Sequence, residues 1–245
     1  LDKQQFCDAC EKVIGEQRQR RGIGTLGEKT LHAVLKNYYE PHRENHEIKV
    51  GRYVADIVGE QGVIEIQTRQ FFRLVPKLDN FLEFCDVTVV YPMPALKYVS
   101  WLDMDTGEVS PKRRSPRKYR IYDAFKEIYN IKYALDNPRF HLVLCLMEMD
   151  EIRYLNGWSK DKKRGSSRCD RIPKEIIEEV RFDCVQDYRL FIPGSLPVRF
   201  TSAQYAKACS ISKELAGMGL NILNYLGLVE RVDKVGNSYI YTVAD

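Results

Sequence analysis

The chain has 245 residues, 44% of them hydrophobic, and a formal net charge of +4. That length suits one large or two small domains, and no apolar run approaches the roughly 20 residues of a membrane span. The small net charge identifies no partner, and the start, Leu-Asp-Lys-Gln-Gln-Phe-Cys-Asp, carries charges where a signal peptide needs its apolar core.

Asp2–Arg20 has helical spacing, with Phe6, Ala9, Cys10, Val13 and Ile14 in one stripe. Cys7 and Cys10 form a CxxC inside that pattern. The seven cysteines are scattered and no second pair has zinc-finger spacing, so buried thiols in a reducing cytoplasm are expected. After Gly22-Ile-Gly24, Thr25 has the spacing to cap a second helix, Gly27–Tyr39, with Glu28 completing a capping box. The helix dipole and the cap would account for Glu28 without any further role. Pro41 ends this helix, and His46–Val50 reads as an edge strand.

Val50–Gln67 organises the chain. Tyr53–Val58 is apolar except for Asp56, Gly59-Glu60-Gln61-Gly62 is turn chemistry, and Val63–Gln67 alternates. Alternation puts Glu65 and Gln67 on one face, and a closed hairpin brings Asp56 within reach of Glu65. Carboxylates in a half-buried strand need a partner, and a divalent cation is one. The other reading of the bare pattern is a turn or a backbone hydrogen bond for Asp56 and a solvent-facing Glu65 and Gln67. Phe71–Phe84 then reads as a helix interrupted at Pro76, and Asp86–Tyr91 as a buried strand.

An acid in a leading helix, an Asp on one strand, Glu-x-Gln on the next, then helix and strand, resembles the PD-(D/E)XK nuclease superfamily over roughly residues 25–91. The matching positions are Glu28, Asp56, Glu65 and Gln67. Gln67 stands where most members have Lys, and Ala55 where many have Pro; some restriction endonucleases of the superfamily carry Glu-x-Gln. The resemblance implies an α/β fold, a restriction-endonuclease-like mixed sheet flanked by helices. It also implies a Mg²⁺ or Mn²⁺ ion on Asp56 and Glu65, with the Ile66 carbonyl, that activates a water. Glu28 would contact the ion's water shell, Gln67 would orient water, and Arg69 would supply a nearby cation.

Lys97–Leu102 and Glu108–Ser110 read as a hairpin around Asp103-Met-Asp105, a plain turn rather than a calcium loop. Pro111–Arg120 is basic and proline-broken, with Lys112, Arg113, Arg114, Arg117 and Lys118. Ile121–Leu135 has helical spacing, Phe140–Met149 is a central strand that Glu151–Leu155 continues, and Pro173–Val180 begins another helix. Trp158–Arg171 is a second basic, Ser/Gly-rich loop, with Lys160, Lys162, Lys163, Arg164, Arg168 and Arg171. Two such loops suit phosphate contacts, with Tyr119 and Trp158 placed to stack on bases; solvated surface loops are the plainer alternative.

Phe200–Cys209 reads as a helix capped by Thr201, and Ser212 caps a second helix that runs to Leu226. A hairpin through Gly236-Asn237 follows. This order resembles a winged helix-turn-helix over roughly 183–245. Its second helix offers Lys213, Asn221 and Asn224, and its wing Arg231 and Lys234. A protein-contact role for this segment is as compatible with the pattern as DNA reading.

The sequence therefore leads to two expected domains, nuclease-like at 1–182 and winged-helix at 183–245. The expected function is metal-dependent cleavage of DNA in the cytoplasm, away from membranes, with a homodimer as one way to cut two strands. The alternative is a catalytically inactive nuclease-like protein that binds DNA or regulates.

Overall fold

The computed structural model describes residues 2–20, 29–155 and 167–244. Thr25, Glu28, Trp158, Lys160, Lys162, Lys163 and Arg164 lie outside the described residues. The fold is mixed α/β. In chain order the main elements are α1 (Lys3–Arg20), α2 (Thr30–Tyr39), β1 (His46–Val50), β2 (Tyr53–Gly59), β3 (Gly62–Ile66), α3 (Val75–Phe81), β4 (Val87–Leu102), β5 (Arg113–Arg114), α4 (Phe125–Ile128), β6 (Phe140–Tyr154), β7 (Arg168–Phe182), β8 (Phe200–Thr201), α5 (Ser202–Cys209), α6 (Lys213–Tyr225), β9 (Val229–Val235) and β10 (Ser238–Val243). One large mixed sheet has the strand order β1-β2-β3-β4-β6-β7, with β5 paired to β4; a three-stranded sheet has the order β8-β10-β9.

Two compact units are present. The first comprises Leu1–Ile48, Pro92–Tyr119 and Cys145–Glu179. Here α1 packs on α2 through Phe6, Ala9 and Val13, which are buried as their spacing predicts. The start of α2 is held by Asp170 of β7, which accepts from the Thr30 backbone N–H at 3.2 Å and from the Thr30 hydroxyl. Asp170 thus offers an acceptor to the first backbone donor of the helix. At the other end of α2, Tyr38 and Tyr39 donate their hydroxyls to Glu179 of the same strand.

The second unit comprises Lys49–Tyr91, Arg120–Leu144 and Val180–Asp245. The expected hairpin is formed by β2 and β3, paired antiparallel with Gly59 opposite Gly62; β3 then pairs parallel with β4. Gly62 has φ +93°, and a Cβ there would fall 3.0 Å from the Asp86 carbonyl carbon. Glycine is what lets β3 start this close to the entry of β4. An aromatic cluster joins the later segments: Phe182 stacks on Tyr188 and Phe191 at 4.8 and 5.1 Å, and Phe191 lies 4.6 Å from Phe125. The C-terminal elements share this unit with residues 120–144.

Several elements differ from their expected form; α2, for one, begins at Thr30 after an extended Lys29 rather than at Gly27. Pro173–Val180 is strand, the middle of the 15-residue β7, because its pairing in the sheet overrides the helix-favouring Lys and Glu residues. That strand begins at Arg168, inside the stretch expected to be a loop. The runs at 86–91 and 97–102 belong to a single 16-residue strand, β4. Ile121–Leu135 is broken into 3₁₀ and α turns, and Ile131 leaves helical geometry at φ −122°, ψ 19°. Phe71–Phe84 reduces to a 3₁₀ turn and α3, with Pro76 in the first turn, where a missing N–H costs nothing.

Candidate functional site

The register of β2 and β3 sets Ile57 opposite Ile64. One further step along the two strands places Asp56 opposite Glu65, and directly opposed residues share a face. Asp56 Oδ2 accepts the Ile66 backbone N–H at 2.8 Å. Glu65 is only 2% exposed, which overturns the solvent-facing alternative for this residue. Its two carboxylate oxygens accept from Lys77 Nζ of α3 at 2.9 and 2.8 Å. Burial first, and the neighbouring Asp56 charge second, push Glu65 up to about 7, while Lys77 pulls in the opposite direction.

Lys77 is the residue that sequence reasoning missed. Its signal was present. Leu74, Lys77, Leu78 and Phe81 follow i, i+3, i+4, i+7 spacing, and the three apolar members are buried. A lysine within an apolar stripe needs an anion facing it, and the only strand acid preceding it on β3 is Glu65. Gln67, two residues past Glu65, turns its amide back on the chain, donating to the Arg69 carbonyl at 2.6 Å. The Arg69 side chain is exposed.

The site thus joins two carboxylates and one ammonium. A carboxylate has about four acceptor positions, and Lys77 uses two of those on Glu65. Carboxylate oxygens are the hard donors that Mg²⁺ and Mn²⁺ take, and Asp56 and Glu65 are the pair that would hold such an ion. Among the described residues there is no group of three or more His, Cys, Asp or Glu side chains placed to hold a metal.

The basic residues of the first unit are placed as follows. Lys112 Nζ lies 2.5 Å from Asp150 Oδ2. Arg113 and Arg114 form β5, exposed, opposite Val99 and Tyr98 of β4. Arg117 stacks over Tyr119 at 4.4 Å, which occupies one face of that ring, and Lys118 is exposed.

In the second unit, α5 is capped by Thr201, whose hydroxyl accepts from the Gln204 N–H, and Ser212 caps α6. The asparagines of α6 are engaged internally. Asn221 accepts from Lys132 at 2.7 Å, and Asn224 donates to the Val229 carbonyl at 2.8 Å. Gly219 lies under Phe125. Lys213 is left as an exposed cation at the start of the helix. The hairpin β9–β10 is more open: Arg231 lies 4.6 Å and Lys234 5.6 Å from the ring of the exposed Tyr239.

A family described as a domain of unknown function, DUF8091, matches residues 29–183. The chain belongs to that family. The DUF8091 match takes in Asp56, Glu65 and Lys77 and the basic segment at 111–120; α5, α6 and β8–β10 lie beyond it. An uncharacterized protein of Treponema pallidum (strain Nichols) is 31% identical over 144 residues, 58% of this chain and 57% of that protein. The aligned part thus spans little more than half of that relative. No solved structure matches this DUF8091 chain.

Proposed function

We propose that this DUF8091 protein is a metal-dependent nuclease of the PD-(D/E)XK type, hydrolysing DNA phosphodiesters. The observation that carries the reading is the meeting of Asp56, Glu65 and Lys77 on one face of the β2–β3 hairpin. Asp56 and Glu65 would hold Mg²⁺ or Mn²⁺, which when bound lowers the pKa of a water and offsets charge on the scissile phosphate. Lys77 favours the ionised form of Glu65, against burial and the Asp56 charge, which raise its pKa. It also brings to the site the ammonium that position 67 lacks. The Ile66 N–H fixes the orientation of Asp56. Residues 183–245, read as a winged helix-turn-helix, would help position DNA. The inward asparagines of α6 favour contact through Arg231, Lys234 and Tyr239 over base reading by the helix. A homodimer would supply two such sites for two strands, and the free cysteines suit a reducing cytoplasm.

The test is cleavage of plasmid and oligonucleotide DNA with Mg²⁺ or Mn²⁺, comparing the parent with Asp56→Asn, Glu65→Ala and Lys77→Met. The parent cuts and the carboxylate variants do not. Activity that survives both carboxylate changes sinks the reading.

One observation favours a second reading, an inactive nuclease-like protein that binds DNA. Lys77 already neutralises Glu65, and the Ile66 N–H already satisfies an oxygen of Asp56, so both acids are accommodated without an ion. DNA binding by a parent that never cuts, with either metal, identifies this case.

A further inference from the structure

Glu151 of β6 is fully buried and faces four cations: Lys97 of β4 at 3.3 Å, Arg153 of β6 at 2.5 Å, Arg168 of β7 at 3.3 Å and Arg171 of β7 at 3.4 Å. One buried carboxylate orients all four side chains. Lys97 and Arg171 are 15% and 12% exposed at the side chain, Arg153 and Arg168 34% and 28%. The like charges are felt within the cluster. Burial lowers the Lys97 pKa, and Arg153 and Arg171 lower it further, against the opposing pull of Glu151. Desolvated like charges held together are costly, and an incoming anion removes that cost.

The cluster also has direction. Within this unit the strands run β5-β4-β6-β7. Arg113 stands opposite Val99, two residues from Lys97, so Arg113 and Lys97 share a face. Glu151 and Arg153, two apart on β6, share theirs. Four neighbouring strands thus each contribute at least one cation. At about 4.8 Å per strand the row extends roughly 14 Å, the length of about four phosphates along one strand of a duplex. A single inorganic phosphate would engage only part of such a row.

We infer that the cations arranged around Glu151, namely Arg113, Lys97, Arg153, Arg168 and Arg171, form a binding site for the phosphodiester backbone of a nucleic acid. Guanidinium groups suit this ligand, since their paired N–H donors match two phosphate oxygens. Glu151 acts as a positioning residue. This inference rests on the nucleic-acid part of the reading above and not on the carboxylate pair.

The experiment is fluorescence anisotropy with short labelled single-stranded and duplex oligonucleotides, between about 50 and 200 mM salt. The parent binds and weakens steeply with salt. Arg153→Gln/Arg168→Gln weakens binding at least tenfold and flattens the salt dependence, by about one unit of log–log slope for each lost phosphate contact. Arg113→Gln, an exposed change that leaves Glu151 its partners, reproduces a smaller part of both effects and serves if the double variant does not fold. Unchanged affinity and slope in Arg113→Gln and in a folded double variant overturn the proposal. So does binding of inorganic phosphate or polyphosphate with no oligonucleotide binding. Oligonucleotide binding that the arginine changes weaken, with no cleavage by the parent, supports this site while it overturns catalysis at Asp56 and Glu65.

Discussion

Lys77 Nζ lies within 3 Å of both carboxylate oxygens of Glu65, and the Glu65 side chain is 3% exposed. A buried pair of this kind is sensitive to losing one member. Lys77→Met should destabilise the fold by about 3 kcal/mol, because it strands a buried carboxylate. Glu65→Gln/Lys77→Met should recover much of that loss. Urea titration of the two single variants and the double variant closes the cycle; equal losses in Lys77→Met and the double variant would contradict it.

The two buried glutamates give opposite pH limbs. Glu65 is raised from 4.5 to about 7, by burial and then by Asp56, so the folded state binds protons more readily than the unfolded state. Stability should therefore fall as pH rises from 4.5 through 7 and level off above that. Glu151 is held at about 2: burial alone would raise it, but Lys97, Arg168 and Arg153 together outweigh burial. Its contribution should be complete above pH 4.5 and be lost as pH falls towards 2. Glu65→Gln should flatten the first limb. Glu151→Gln should lower stability at neutral pH and weaken the second limb. Denaturant midpoints across this range check both.

Metal binding should follow the ionisation of Glu65. If Asp56 and Glu65 take Mn²⁺, the ion raises the melting temperature of the parent, more at pH 8 than at pH 6, since Glu65 must give up its proton. At an ion concentration of about 100 times Kd the gain is about 2.7 kcal/mol. Asp56→Asn should show no rise at either pH. A rise of the same size in that variant would locate the ion elsewhere.

The two glycines of α6 should respond in opposite ways. A Cβ on Gly219 would fall 2.7 and 2.8 Å from Phe125 Cδ2 and Cζ, so Gly219→Ala should cost about 1–3 kcal/mol. Gly217 is exposed with open space around it, so Gly217→Ala should add up to about 1 kcal/mol of helix preference. Thermal melts of the pair decide the matter.

Periodicity carried most of the local structure. The stripe of α1, the alternation of β3 and the caps at Thr201 and Ser212 all depend on residues close in sequence, and each is where its pattern placed it. The failures share a cause. Lys-Glu-Ile-Ile-Glu-Glu-Val favours helix by local preference, yet lies in β7, where distant partners decide. At the candidate site, Asp56 and Glu65 were legible because one short turn joins them. Lys77 was not, because a lysine on an apolar stripe looks like an error in the stripe until Glu65 faces it. The Glu151 cluster was legible in part: Arg113, Arg168 and Arg171 stood out in basic segments, but Lys97, Glu151 and Arg153 join them only through strand pairing.

Asp170 reaches Thr30 across 140 positions of chain. During synthesis, residues 30–39 leave the ribosome long before the acid that closes their first turn. A ten-residue helix without its cap is marginal in water. The N-terminal region should thus stay unsettled until translation has passed residue 170, and a nascent chain arrested earlier would expose the apolar sides of both leading helices to chaperones and proteases.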